Sequence, residues 1–501
     1  MDKGGFLLRR KLPIFYSALL LTGVNLLLRL VSTSFQVFLS GKIGAEGIGL
    51  LQLVLSVGGL SMTAGMAGIR TATMYLTAEE LGKKHPENAG PVLRACFLYS
   101  ISCSCAVGCI LYFSAPIIAQ HWIGDICALD AIRTLALFLP IVCLSGCMTG
   151  YFTAANRIGT LAIVEIGEQL CYMAVTMTAL IFWAHGDPGK ACRAVVLGSG
   201  ASASFTLLCL LILRGSAQQK ERHKIPVVSR LLHTAVPLAL ADDLKAGIST
   251  TENLMVPKRL ALYPGEAAPL AAFGMVCGMV FPVLMFPAAI LFALAELLIP
   301  ELARCNAAGS QDRIQYLVRR SLRIALLYGC LCGAVLFLLS NELCLWLYDS
   351  ADAGRYLMLY ALLAPMLYCD AITDAMTKGL GQQQTAVRYN ILTAALDVLF
   401  LFLLLPKYGM HGYFISFLIT HLLNFLLSLR LLIRTSDITI PFYIPALTLA
   451  AVIGAAWGAS LVSIPFWRIF CFLALFSSLL VLFRIISKED LRWISGLILK
   501  K

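Results

Sequence analysis

The sequence predicts an all-α polytopic membrane protein of about fourteen transmembrane helices. Three observations carry that prediction. The 501 residues are 59% hydrophobic and only 13% charged, with mean hydropathy +0.84, against about 25% charged residues in a soluble domain. Apolar runs such as residues 14–30, 391–405 and 469–482 reach, with their flanks, the roughly 20 residues that cross a hydrocarbon core. The basic residues cluster between the runs and alternate in density from one connection to the next.

Spans are placed at about 13–39, 48–76, 91–118, 130–155, 159–184, 191–214 and 228–256, then 268–300, 315–340, 355–378, 384–405, 410–434, 440–461 and 466–486. Their connections are short, which makes consecutive spans antiparallel neighbours. The first run is longer than the apolar part of a signal peptide and lacks a small-residue cleavage site. Lys3, Arg9, Arg10 and Lys11 precede it and hold the N-terminus inside. With that orientation, cytoplasmic segments carry about three times the Lys and Arg of external ones, as the positive-inside rule requires. Both termini are therefore expected in the cytoplasm, with the chain in the plasma membrane. The net charge of +12 belongs to this bias and to anionic headgroups, and no nucleic-acid partner is expected.

The most basic stretch, RGSAQQKERHKIPVVSR from Arg214, divides the chain. Beyond it the pattern restarts. GKIGAEGIGLLQLVLSVGGL from Gly41 is echoed by PKRLALYPGEAAPLAAFGMVCGM from Pro257. LPIVCLSGCMTGYFTAANRIG from Leu139 is echoed by LAPMLYCDAITDAMTKGLGQQQ from Leu363. The expected layout is an N-terminal lobe at 1–215, a basic linker at 216–227, a C-terminal lobe at 228–435, two further spans within 436–487 and an amphipathic tail at 488–501. The lobes are six-helix bundles in parallel pseudo-twofold repeat. Repeats of that kind place substrate between the halves and rock them alternately open.

Charges inside spans are costly and mark function unless they pair structurally. Arg29 lies deep in the first span and Arg70 nearer the cytoplasmic end of the second, where snorkelling is the alternative. The seventh holds Asp242, Asp243, Lys245 and Glu252, and Asp242 can neutralise Lys245 across one turn. A guanidinium fork suits phosphate oxygens, so Arg29, Arg70 and Lys245, with Gln36 and Glu252, are the candidate substrate-binding residues. Asp370 and Asp374 share a face with Lys378, Asp397 lies in the eleventh span, and Glu165 and Glu168 stand one turn apart in the fifth. These five carboxylates are candidates for coupling to Na+ or H+, with interhelical bonding as the alternative.

The sequence contains no GxxxxGK[ST], HExxH or GxSxG, and its seven His are scattered singly. No nucleophile, base and oxyanion site assembles, so no catalysis, prosthetic cofactor or metal site is expected. The 17 Cys fall mostly inside apolar runs and act as small hydrophobes, with no disulfide framework. Gly274 with Gly278, and Gly454 with Gly458, have the GxxxG spacing that lets helices approach. Pro282 and Pro287 are expected to bend the eighth span.

Several segments together resemble the stage V sporulation protein B group of polysaccharide-type flippases, in the multidrug/oligosaccharidyl-lipid/polysaccharide exporter superfamily that also holds the peptidoglycan lipid II flippases. They are SGKIGAEGIGLLQLV (40–54), AGIRTATMYLTAEE (67–80), GYFTAANRIGTLAIVEIGEQL (150–170), LMVPKRL (254–260), KGLGQQQTAVRYN (378–390) and KYGMHGYFISFLI (407–419). The resemblance implies a two-lobed bundle and a monomeric flippase that carries an undecaprenyl-pyrophosphate-linked sugar or peptidoglycan precursor to the outer leaflet for cell-wall biogenesis. It also implies that Arg29 and Arg70 stand where family arginines contact pyrophosphate. Gln36 stands where the family has a further arginine. A cation-coupled multidrug exporter of the same superfamily is the alternative, and Glu165 and Glu168 keep it open.

Overall fold

A computed structural model describes residues 4–82, 88–155, 157–184, 186–214, 227–439, 443–483 and 485. The basic linker, apart from Val227, and the amphipathic tail lie outside the described residues. The chain is helical nearly throughout. In order it runs α1 (Gly4–Met66), α2 (Ile69–Gly82), α3 (Ala89–Ile117), α4 (Leu129–Ala154), α5 (Ile158–Ala179), α6 (Pro188–Arg214), α7 (Val227–Leu260), α8 (Pro269–Gly274) and α9 (Phe281–Met285). It continues with α10 (Ala289–Ala307), α11 (Gln311–Leu338), α12 (Ser340–Tyr348), α13 (Ala351–Ala361), α14 (Ala364–Gly379), α15 (Gln383–Tyr408), α16 (Met410–Ser436), α17 (Tyr443–Ser460) and α18 (Pro465–Leu482).

Among the described residues, ten helices are long and apolar enough to cross a membrane, or twelve when two bent pairs each count as one span. Fourteen were expected. The difference has two physical sources. The first two expected spans run together as α1, broken only at Gly44 (φ 70°, ψ 177°), a backbone geometry that glycine reaches without Cβ strain. The seventh, α7, carries Arg230, Asp242, Asp243, Lys245, Glu252, Lys258 and Arg259, too many charges to count as apolar. The nine-residue α12 was not foreseen, because SNELCLWLY is short and mixed in polarity.

Two compact units form: residues 1–278 with 397–413, and 279–396 with 414–501. In the first unit, α4 packs on α3 and α6, α5 on α6, and both α7 and α8 on α1. Its core joins Ile69, Leu76, Leu93, Cys147, Phe152, Leu210 and Leu231. Its outer faces are apolar too: Phe113 is 79% exposed and Ile212 77%, which in lipid costs nothing. Arg230 at the start of α7 clamps the end of α2, donating to Glu80 at 2.8 Å and Glu79 at 2.6 Å. Glu80, only 3% exposed, also accepts from Asn88 at 2.9 Å.

Gly274 shows what the GxxxG spacing does here. A Cβ at Gly274 would collide with the Ala45 carbonyl oxygen and lie 2.6 Å from the Gly49 nitrogen. The α1 and α8 backbones therefore touch. Gly274→Val is expected to cost about 1–3 kcal/mol of stability or more through overpacking. A wild-type thermal transition of the detergent-purified variant would contradict this contact.

In the second unit, α14 packs on α10 and α11, and α17 on α18 and α11. Ala451, Ala455 and Ala459 recur every four residues on the buried face of α17, whereas Ile453 and Trp457 face outward. The backbone bends by 64° between α9 and α10, where Pro287 withholds a donor. The carbonyls near the break find partners: Tyr368 donates to Leu284 O at 2.7 Å and Tyr328 to Pro287 O at 2.9 Å. Arg468 at the head of α18 reaches the Leu338 carbonyl at 2.9 Å and Glu342 at 2.8 Å. All 17 cysteines are free thiols.

Candidate functional site

The candidate polar residues of the first unit lie on α1, α2, α5 and α7, with α6 beside them. Arg29 is exposed on α1. Arg70 is exposed in the first turn of α2, directly after a break at Ala67 (φ 43°) and Gly68 (φ 71°). The first N–H groups of a helix have no partner within it and carry the positive end of its dipole. Arg70 therefore stands at the positive end of the α2 dipole, a setting that suits an anion. Gly150 makes room there: a Cβ on it would collide with the Arg70 carbonyl.

Arg70 also acts electrostatically on Glu165 and Glu168 of α5. Those two carboxylates line a cavity of about 360 Å³ with Gln169, Tyr172, Leu28, Ser199 and Ser202. Glu165, Glu168, Gln169 and Tyr172 fall on one face of α5, because residues three, four and seven apart share a helix face. Ser199 and Ser202 are one turn apart on α6. The buried Phe35 ring meets Tyr172 edge-on at 5.3 Å and fixes its orientation.

Gln36 serves the backbone. Its Nε2 donates to the Gly278 carbonyl at 3.2 Å, in the π-helical turn Met275–Val280. Lys245 and Asp242 are both exposed on α7. The expected pairing between them does not form: among the described residues no ion pair involves either. Side chains that extend into open space lose too much rotamer freedom to close a weak pair. Asp243 turns inward to the Thr63 hydroxyl.

The Glu252 carboxyl of α7 faces that of Asp397 of α15, and Cys277 lies near it. Asp397 is 4% exposed. Neighbouring residues hold α7 in place: Thr250 donates to the Ser56 carbonyl and Asn253 to the Ser56 hydroxyl, each at 3.0 Å. Two carboxyl groups that face each other, one buried and one half-buried, rest together most readily when a proton or another cation lies between them.

In the second unit Asp370 accepts from Asn424 at 3.2 and 3.4 Å, and the Asn424 carbonyl oxygen accepts from Thr393 at 3.5 Å. Asp374 is paired with Lys378 at 2.5 Å, the local neutralisation that the four-residue spacing allows. The predicted residues thus form separate groups: Arg70 with Glu165 and Glu168, Glu252 with Asp397, Asp370 with Asn424, and Asp374 with Lys378. Sequence reasoning missed Gln169, Tyr172, Ser199, Ser202 and Asn424. A polar stripe in EIGEQLCY and a lone Asn in THLLNFLL were the available signals. Among the described residues no group of three His, Cys, Asp or Glu could hold a metal ion.

A multi-pass helical bundle that carries charged groups on its apolar helices and a polar cavity among them has the architecture of a membrane transporter. Residues 21–178 and 260–403 match the MatE family, and the chain belongs to that family. It is 22% identical over 499 residues to stage V sporulation protein B of Bacillus subtilis (strain 168), covering 95% of this chain and 96% of that one. It is 21% identical over 334 residues to sporulation protein YkvU of the same organism, covering 65% of this chain and 73% of that one. Among solved structures it shares the fold of the lipid II flippase MurJ in an inward closed conformation. There the TM-score is 0.69 at 12% identity, covering 94% of this chain and 99% of that one. It also shares the fold of an inward-facing multidrug resistance MATE family transporter of the MOP superfamily, with TM-score 0.66 at 14% identity, covering 83% of this chain and 98% of that one.

Proposed function

We propose that this chain is a flippase, not an enzyme, that moves a lipid-linked oligosaccharide or peptidoglycan precursor of the undecaprenyl-pyrophosphate type from the inner to the outer leaflet by alternating access. It acts as a monomer in a bacterial plasma membrane with both termini cytoplasmic, needs no prosthetic cofactor, and is driven by Na+ or H+. The observation that supports this reading is Arg70 at the start of α2, directly after the Ala67–Gly68 break. Arg29 and Lys245, exposed on α1 and α7, supply further cations for a diphosphate. The Glu252–Asp397 pair is the coupling site we favour. Asp370 with Asn424 is a second candidate, and Asp374 is occupied by Lys378.

Depletion of the gene tests the reading. The expected result is that a polyprenyl-diphosphate sugar builds up on the inner leaflet, and unchanged lipid-linked precursors would refute it. A cation-coupled exporter of small drugs is the second reading, favoured by the carboxylates Glu165 and Glu168 in the cavity. Gradient-dependent drug efflux from vesicles, with no flipping of lipid-linked sugar, would establish it instead.

A further inference from the structure

We propose that an apolar groove between α1, α3 and α7 binds one chain of an anionic phospholipid, and that Lys258 at its end takes the phosphate of the headgroup. The groove lies in the first unit and shares no lining residue with the polar cavity. The proposal stands whatever the protein carries. Three observations support it.

The first is position. Leu60 of α1 and Ile110, Leu111 and Ile118 of α3 line the groove, with Trp122 of the π-helical turn Ile118–Ile123. Ile110 is 69% exposed, so the groove opens outward from a helix long and apolar enough to cross a membrane. What meets an opening on that face is lipid. The volume of about 180 Å³ is below that of sites for drug-sized molecules, roughly 300–1,000 Å³, and suits a single chain.

The second is the chemistry of the lining. Three hydroxyls line the groove, and each spends its one proton on a backbone carbonyl. Ser61 donates to Val57 O at 2.8 Å, Ser114 to Ile110 O at 2.7 Å and Thr250 to Ser56 O at 3.0 Å. Among the described residues no charged side chain lines the groove. Apart from the Trp122 indole, the lining has no donor to spare. A polar ligand would lose its water there without replacement, whereas a hydrocarbon chain loses nothing.

The third is charge. Lys258 is exposed in the last turn of α7 and donates to the carbonyl oxygen of His121, the chain neighbour of Trp122. That bond holds the ammonium beside the end of the groove and uses one of its three donors. Among the described residues no ion pair neutralises it. A lysine and a tryptophan together mark the level of the lipid headgroups. A phosphate paired with Lys258 therefore has its chain at the groove. A chain seated there packs against Thr250, whose bond to Ser56 helps hold α7 to α1.

The test follows the emission of Trp122 in the full-length protein with its other tryptophans replaced by phenylalanine. The protein is placed in phosphatidylcholine vesicles that contain increasing amounts of brominated phosphatidylglycerol or brominated phosphatidylcholine. Phosphatidylglycerol is expected to reach half-maximal quenching at about fivefold lower mole fraction, the effect of one cation near the membrane surface. Lys258→Gln is expected to bring the two lipids to within about 1.5-fold of each other. Ile110→Phe narrows the groove and leaves Lys258 in place, and it is expected to weaken phosphatidylglycerol about twofold or more. Native mass spectrometry repeats the comparison on the protein with all its tryptophans: wild type should retain phosphatidylglycerol in preference to phosphatidylcholine, and Lys258→Gln should not. Equal quenching by the two lipids in wild type overturns the inference, as does a preference that survives Lys258→Gln. Quenching that farnesyl diphosphate relieves in full gives the groove to the chain of a lipid diphosphate and overturns the choice of a phospholipid.

Discussion

Arg29→Ala is expected to abolish transport while the protein still inserts and folds. Arg29 is exposed on α1, next to a residue that lines the polar cavity, so its removal leaves no hole in a packed core. What it removes, on the proposed reading, is a fork of donors that suits phosphate oxygens. Hydrogen bonds to charged groups contribute about 1.5–3 kcal/mol, or roughly 10- to 150-fold in affinity, and the loss is larger where two phosphates share the fork. Arg29→Lys keeps the charge without the planar geometry and should recover only part of the activity. The measurement is flipping of a fluorescent polyprenyl-diphosphate sugar in proteoliposomes, with size-exclusion profiles to establish folding. Wild-type flipping by Arg29→Ala, or normal envelope growth in a strain depending on it, would sink the assigned role.

The division between what could be read from the sequence and what could not follows the range of the interactions. Helical class and span order come from local hydropathy, and the folded chain keeps them except where the first two expected spans run together as α1. The Asp374–Lys378 pair is a four-residue spacing and was visible. Half of the cavity was visible too, since Glu165 and Glu168 mark the face of α5 that also carries Gln169 and Tyr172. Ser199 and Ser202 were not, because serines are common in apolar spans and nothing local says which face meets α5. The partner of Gln36 was hidden for a similar reason: only the approach of the Met275–Val280 turn to α1 supplies the Gly278 carbonyl that takes its amide. The break before Arg70 was hidden in a glycine-rich run, TAGMAG, that reads equally well as continuous helix.

The Glu252–Asp397 contact lies at the far end of that scale, joining α7 to α15 across more than a hundred residues, and it carries the second large effect. Glu252→Gln and Asp397→Asn are each expected to uncouple transport from the ion gradient. Both variants keep the volume and remove one charge, so the pair no longer needs a cation between its carboxyl groups. An ion that moves one charge through 100 mV supplies about 2.3 kcal/mol, close to a fifty-fold concentration ratio. Wild-type proteoliposomes should show stimulation of up to that order when a Na+ or a pH gradient with membrane potential is imposed. One of the two gradients alone should suffice, which identifies the ion. The variants should transport at the same slow rate with and without it, while binding farnesyl diphosphate as tightly as wild type because Arg29 and Arg70, the proposed phosphate ligands, are untouched. Wild-type stimulation in both variants would remove the pair from the coupling mechanism and leave Asp370, held by Asn424 in the second unit, as the next carboxylate to replace.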